Sequence, residues 1–138
     1  MLTRFEIATH DAVLGGQPFG TVGAYEQLTG SSFFAFDPDH PRNENIVDLK
    51  LAPRNATGGV ECRADFWILQ PQDHTRGNSN LLYYVVNRGR KGALSTFNLA
   101  EGSNAPHTTA HFGDGLLLEM GYTVAACAWQ ADVPPAAE

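Results

Sequence analysis

The sequence predicts a β-rich α/β fold, in which antiparallel strands in residues 1–80 precede a βαβ unit in residues 81–138. Residues 60–69 alternate between apolar and polar side chains, which is typical of an antiparallel strand with one face in water. Residues 81–86 form an unbroken apolar run, which is typical of a strand buried on both faces. A helical segment and a second apolar run at residues 122–129 follow, and this succession implies a parallel pair of strands.

The chain before residue 60 predicts strands separated by turns. Strands are expected at residues 5–13 and 25–36, and a shorter strand is expected at residues 46–51. The second of these carries three phenylalanines that are expected in the core: Phe33, Phe34 and Phe36. Residues 37–43 are rich in Asp, Pro and Asn, and this composition predicts a loop.

The alternation at residues 60–69 assigns one face of that strand to the core and the other to water. The expected core face carries five residues: Val60, Cys62, Ala64, Phe66 and Ile68. Trp67 falls on the polar face, where it is either covered by a further part of the protein or exposed as a lone aromatic. Cys62 and Cys127 are expected as buried, reduced thiols. A disulfide between them would require neighbouring strands.

Composition excludes several classes of partner. The chain has 138 residues, a net charge of -6 and a pI of about 5.2, which argues against nucleic-acid binding. Its one tight basic cluster, Arg88, Arg90 and Lys91, is too short for a nucleic-acid footprint. No apolar run approaches the roughly 20 residues that a membrane span needs. The N-terminus lacks the apolar core of a signal peptide, which favours a cytoplasmic location unless a signal was removed before residue 1.

The predicted parallel sheet is incomplete. One βαβ unit gives two or three parallel strands, whereas parallel sheets usually have more strands and carry helices on both faces. The chain has one good helical segment, with Asp114 near its start and Gly121 just past its end. One helix cannot cover both faces of a sheet. Residues 1–138 are therefore expected to form a single domain or part of a larger one.

Short motifs occur in order along nearly the whole chain. They are Gly23-Ala24-Tyr25-Glu26 with Gly30, Asp37-Pro38 with Asn43, Ile46-Val47-Asp48-Leu49, Ala52-Pro53-Arg54-Asn55, residues 58–66, Pro71, Asn87-Arg88-Gly89, Phe112-Gly113-Asp114-Gly115, Gly121-Tyr122-Thr123-Val124 and Trp129-Gln130. Together they resemble the N-terminal part of a bacterial family of α/β-hydrolase-domain proteins. Members of that family are several hundred residues long. The resemblance therefore implies a partial α/β-hydrolase sheet.

The resemblance implies hydrolysis of a small ester-like substrate by the complete protein. In that fold the serine nucleophile lies in a G-x-S-x-G turn, and the acid and the histidine follow it. None of the serines occupies such a frame: Ser31, Ser32, Ser79, Ser95 and Ser103. The chain is therefore expected to contain no catalytic residue and to be inactive alone. Its expected partners are the C-terminal half of the hydrolase or further copies of itself, and no cofactor is expected.

Chemistry is expected in the loop after residues 81–86, because functional groups in parallel sheets lie at the carboxyl ends of the strands. By position, the resemblance makes the backbone N–H of Arg88 or Gly89 a candidate oxyanion-hole donor. Gly89 permits the positive φ that such a loop needs. Alternatively, the segment is a structural turn in which Asn87 bonds the backbone. Asn87 is also a candidate cleft residue.

Three other side chains are candidates for the cleft: His107, His111 and Trp129. The two histidines are four residues apart, a spacing that places two metal ligands on one helical face. A metal needs a third ligand, and Pro106 indicates a loop, so no metal is expected. The histidines are interpreted as solvent-accessible loop residues or, failing that, as substrate contacts. Trp129 ends the last strand, where it either lines a cleft or closes the core.

Two functions of other classes stay open. The chain could be a stand-alone, non-catalytic β-rich module for binding or self-association, because an unpaired strand edge is a template for strand addition. It could also be a metal-dependent enzyme that uses His107 and His111, which would require bound zinc.

Overall fold

The computed structural model describes residues 1–133 and has a mixed sheet of six strands at its centre. The strands are β1 (Leu2–Ala12), β2 (Pro18–Phe19), β3 (Gly23–Phe36), β4 (Val60–Pro71), β5 (Leu81–Tyr84) and β6 (Thr123–Cys127). The helices are α1 (Ala93–Phe97), α2 (Thr109–Phe112) and α3 (Leu116–Glu119). Short 3₁₀ segments lie at Val13–Gly16, Pro41–Asn43, Leu49–Leu51 and His74–Arg76. The expected β-rich mixture of strands and helices is confirmed.

The sheet combines antiparallel strands with one parallel pair. Its order is β1-β3-β4-β6-β5, and β2 pairs with the start of β3. The pairs β1–β3, β3–β4 and β4–β6 are antiparallel. The remaining pair, β5 and β6, is parallel, as the sequence predicts. The chain leaves the sheet after β5, passes through the three helices and returns as β6 between β4 and β5. Strands from both predicted parts of the chain therefore belong to one sheet.

The main core lies between one face of this sheet and the three helices. The sheet contributes Tyr25, Trp67, Leu69, Val124 and Ala126. The helices contribute Ala93, Leu94, Phe112, Leu117 and Leu118. These side chains explain why such short helices form, since helices of four or five residues are unstable without tertiary packing. Val86, just after β5, joins the same core.

The predicted faces of β4 are partly wrong. Trp67 is only 2% exposed, and its Nε1 donates a hydrogen bond to Gln27 Oε1 at 2.9 Å. Cys62, which the alternation places in the core, is exposed, and Cys127 is partly buried; both are free thiols. The cause is the limited reach of the helices. They cover the C-terminal half of β4 and leave its first half open to solvent.

Phe66 shows why simple alternation fails in β4. It lies on the face opposite to Trp67, yet it is buried because its ring stacks on that of Phe5 in β1, with 4.1 Å between the ring centroids. Two successive aromatic residues are thus buried on opposite faces. The expected core residues of β3, Phe33, Phe34 and Phe36, are only partly buried, because they lie at the uncovered end of the sheet.

Two further predictions are corrected. β5 is not buried on both faces, since Leu81, Tyr83 and Val85 are 59%, 50% and 64% exposed. Among residues 1–133 the helices cover only the opposite face of the sheet, so these side chains have no layer above them. The strand expected at residues 46–51 is instead a turn at residues 46–48 followed by the 3₁₀ segment Leu49–Leu51, and Asp48 has a left-handed backbone with φ of 58°.

Candidate cleft at the carboxyl ends of β5 and β6

A cleft of about 440 Å³ opens where the parallel strands β5 and β6 end. Its polar lining comes from Thr29, Ser31, Arg63, Asp65, Lys91 and the backbone of Gly89. Its apolar lining includes Phe66, Trp67, Val86 and Ala126. This is the edge at which open α/β sheets place their ligands.

The loop after β5 is a tight turn at residues 87–90. Arg90 N donates a hydrogen bond to the carbonyl of Asn87 at 3.1 Å. The two central residues, Arg88 and Gly89, have positive φ of 49° and 74°, the combination found in type I′ turns. Glycine adopts this geometry without strain, whereas an arginine pays about 1–2 kcal/mol for it. Contacts elsewhere in the fold must therefore stabilise the conformation of Arg88.

Gln130, just beyond β6, stabilises this turn. Its Oε1 accepts a hydrogen bond from the Arg88 N–H at 2.6 Å. The neighbouring Trp129 donates from Nε1 to the Val86 carbonyl at 2.7 Å. Two adjacent residues at the end of β6 thus bind the chain on both sides of Asn87. Sequence reasoning assigned no role to Gln130.

Gly89 differs from Arg88 in the state of its amide. Within residues 1–133 the Gly89 N–H has no hydrogen-bond acceptor, and Gly89 lines the cleft. Its positive φ favours glycine, and an added Cβ here would lie 2.9 Å from Val133 Cγ1, so the Val133 side chain would have to move. Asn87 is exposed, and its carbonyl is used within the turn. Of the three motif residues, Gly89 alone lines the cleft.

Lys91 places a cation in the cleft. Its Nζ donates to the carbonyl of Asn104 at 2.6 Å, and its backbone N–H donates to Asn104 Oδ1 at 3.0 Å. Nζ lies 5.7 Å from the centre of the Trp67 ring. Burial lowers the pKa of Lys91, and the charge of Asp65 opposes that effect. The sequence showed Lys91 only as part of a short basic cluster, because its contact with Asn104 depends on the fold.

Asp65 is already engaged with its neighbours on the wall of the cleft. Its Oδ1 accepts from Ser31 Oγ and from Arg63 Nη2, each at 2.9 Å, and Arg63 Nε donates to Ser31 Oγ at 3.0 Å. The hydrogen bond from Ser31 and the hydrogen bond and charge of Arg63 lower the pKa of Asp65. Asp65 is therefore an ionised carboxylate with its own cation beside it.

The two candidate histidines stabilise the start of α2 and do not line this cleft. His111 Nδ1 accepts from the N–H groups of His107 and Thr108 at 3.2 and 3.3 Å. With Thr108 it forms a capping box at the helix N-terminus. His107 Nδ1 lies 2.7 Å from the Ala105 carbonyl oxygen. Across residues 1–133 no group of three or more His, Cys, Asp or Glu side chains could hold a metal ion.

Trp129 is 63% exposed, so the interpretation in which it closes the core is wrong. It borders a second groove, of about 560 Å³, together with Gln130 and the partly buried Phe34 and Phe36. Its hydrogen bond to Val86 connects this groove to the first cleft, since Val86 lines the latter. Trp129 is thus a surface aromatic fixed at the carboxyl edge of the sheet.

Comparison with known proteins gives no match for this chain. No family model matches it, and no curated protein and no solved structure matches it significantly. Among residues 1–133 no helix has the length and apolar character needed to cross a membrane.

Proposed function

We propose that the chain is the N-terminal segment of an α/β-hydrolase-like protein of the ester or acyl hydrolase class. In the complete protein it would supply one wall of the substrate cleft and one oxyanion-hole donor. The observation that carries this proposal is the turn at residues 87–90, which lies at the carboxyl end of β5. Its Gly89 lines the cleft and has an N–H with no acceptor within residues 1–133. α/β-Hydrolases take one oxyanion donor from a strand-to-helix loop of this kind.

The state of the two amides favours Gly89 over Arg88 as the donor. The Arg88 N–H already donates to Gln130 and would have to exchange that acceptor for a substrate oxygen. The Gly89 N–H has no acceptor to lose within residues 1–133. A donor that is fixed before the reaction stabilises a developing oxyanion without reorganisation. Gln130 would act as a positioning residue, because it stabilises the turn that presents Gly89.

The strand order also supports the proposal. An antiparallel pair, β3 and β4, precedes two parallel strands, and the later strand lies inside the earlier one. This arrangement resembles the beginning of an α/β-hydrolase sheet. The outer edge of β5 has no partner strand within residues 1–133. A following parallel strand paired there would place its own carboxyl end, and a nucleophile turn, beside Gly89.

The first test is an esterase assay combined with an NMR titration of the 138-residue chain. We expect no turnover of p-nitrophenyl butyrate above buffer hydrolysis, because no serine lies in a G-x-S-x-G frame. Methyl butyrate, an uncharged ester, should shift the Gly89 amide resonance more than that of Arg88. The Arg88 resonance is the internal control, since its N–H is bonded to Gln130.

Two results would contradict the proposal. Turnover that a serine-reactive probe abolishes would show that these residues already contain a nucleophile. Methyl butyrate shifts that avoid residues 86–91 altogether would remove Gly89 as an acyl-oxygen donor.

A second function, the non-catalytic β-rich self-association module, has one observation in its favour. All eleven residues of β1 are exposed, and within residues 1–133 this strand pairs with β3 alone. Such an edge can accept a strand from another chain. The two proposals place association at opposite edges of the sheet, and this difference makes them separable.

A further inference from the structure

Lys91 carries a positive charge that the described residues only partly satisfy. Its ammonium group has three donors, and one of them binds the Asn104 carbonyl. Within residues 1–133 no carboxylate lies within 4.0 Å of Nζ. The side chain is nevertheless half-buried and lines the cleft. Asp65 is near enough to act on this charge but makes no ion pair with it, and a half-buried cation without a carboxylate in contact is unfavourable. A ligand that brings negative charge to Nζ would therefore be stabilised here.

The net charge of the side chains that line the cleft is positive. The lining includes two cations, Arg63 and Lys91, and one carboxylate, Asp65. Asp65 is paired with Arg63 at 2.9 Å and accepts from Ser31 as well. Its charge is therefore already compensated, and the charge of Lys91 is left in excess. This local excess is positive in a chain whose net charge is -6.

The size and walls of the cleft limit the ligand. A volume of about 440 Å³ lies in the range of small-molecule pockets. Val86, Ala126 and Trp67 form apolar walls of the cleft, and the Trp67 ring lies 5.7 Å from the ammonium group. The cleft has one positive charge in excess, that of Lys91, which balances the single negative charge of a carboxylate. A phosphate dianion would need a further positive charge and more donors. The combination fits a singly charged head with a short apolar body.

We propose that this cleft binds a small organic acid, with the ammonium of Lys91 and the N–H of Gly89 as donors to its carboxylate. The short apolar part of the acid lies against Trp67, Val86 and Ala126. Gly89 lines the same cleft two residues before Lys91 and has an N–H without an acceptor in residues 1–133. This binding goes beyond the proposed hydrolase class, because it requires neither a nucleophile nor acyl transfer.

The test is a titration of the 138-residue chain with butyrate, followed through its backbone amide resonances. Butyrate should shift the resonances of Gly89 and Lys91. Lys91→Met should weaken butyrate binding at least tenfold, because hydrogen bonds to charged groups are the stronger class. Lys50→Met is the matched control, since Lys50 is exposed and does not line the cleft. Lys91→Arg keeps the charge and should retain most of the binding.

Three results would contradict the binding of a small organic acid in this cleft. Butyrate binding that survives Lys91→Met in a folded chain, or that Lys50→Met weakens equally, would overturn the proposal. Inorganic phosphate that displaces butyrate at equal concentration would mean a general anion site rather than one for organic acids. Shifts at Gly89 with methyl butyrate but none with butyrate would contradict this inference and leave the hydrolase proposal standing. Shifts at Gly89 with butyrate but none with methyl butyrate would support this inference and contradict the hydrolase proposal.

Discussion

Tyr25 connects β3 to the corner between α3 and β6 through one hydroxyl group. The side chain is fully buried, and Oη lies 3.0 Å from the carbonyl oxygens of both Leu118 and Tyr122. Tyr25→Phe removes this donor and leaves buried acceptors underbonded, so the free energy of unfolding should fall by about 1–2 kcal/mol. Urea unfolding followed by circular dichroism measures the change.

The same hydroxyl predicts a loss of stability in alkali. Burial raises the pKa of Tyr25 to about 12, against a usual value near 10. Because the pKa is raised in the folded state, the contribution is complete below pH 10 and is lost as the pH rises towards 12. Tyr25→Phe should lose less stability over this interval than the parent. Tyr83→Phe, at a half-exposed position, is the control and should follow the parent. Equal alkaline losses in all three proteins would contradict the assignment.

At the same scale, the sequence located the turn of the candidate site but not the contacts that shape it. An apolar run followed by Asn87-Arg88-Gly89 is a local pattern, and the structure has a tight turn there. The acceptor for the Arg88 N–H is Gln130, 42 residues away. A single sequence shows no pattern for such a contact, because it depends on how β6 returns beside β5.

Among the elements, the three short helices depend on one buried side chain. Asn98 follows α1; its Nδ2 donates to the Phe112 carbonyl at 3.1 Å, and its Oδ1 accepts from the Leu117 N–H at 3.0 Å. Asn98 is fully buried and so connects α1 to α2 and α3. Asn98→Ala leaves the buried Leu117 N–H unpaired and removes one of the two donors to the Phe112 carbonyl, which keeps the Gly115 N–H. The substitution should lower the free energy of unfolding by about 2 kcal/mol.

The matched control for this substitution is Asn45→Ala. Asn45 is exposed, so its loss should change stability by less than about 0.5 kcal/mol. The shift of the urea midpoint measures both variants, and the slope of the transition checks that the folded states are comparable. Equal midpoints for Asn98→Ala and the parent would mean that apolar packing alone stabilises the helices.

β4 shows which part of an element the sequence can predict. Its strand character follows from a strict alternation, and the strand is present from Val60 to Pro71. Its buried face does not follow from that alternation, because burial depends on which layers lie above and below. The helices cover Trp67 on one face, while Phe5 of β1 covers Phe66 on the other. The helices and β1 are distant from β4 in sequence. The alternation within β4 therefore cannot predict that they bury Trp67 and Phe66.

At the scale of the whole molecule, the two outer strands of the sheet differ in how well their edges are protected. β1 carries Arg4, Glu6, His10 and Asp11, and its pairing with β3 has two register shifts. Charges and irregular pairing discourage the addition of another strand. β5 has no charged residue, and its Leu81 and Tyr83 are half-exposed or more. Within residues 1–133 the less protected edge is therefore that of β5, which the hydrolase proposal assigns to the next strand.

This asymmetry predicts how the 138-residue chain associates. We expect light scattering after size exclusion to show concentration-dependent dimers or larger species formed through β5. Tyr83→Lys places a charge on β5 and should shift the chain towards monomer. Ile7→Lys places the same charge on β1 at a position of similar exposure, 53% against 50%, and should leave association unchanged. If Ile7→Lys alone produced monomers, β1 would be the interface and the self-association module would be favoured. A parent chain that stays monomeric would mean that the β5 edge needs no partner, and this would weaken the hydrolase proposal.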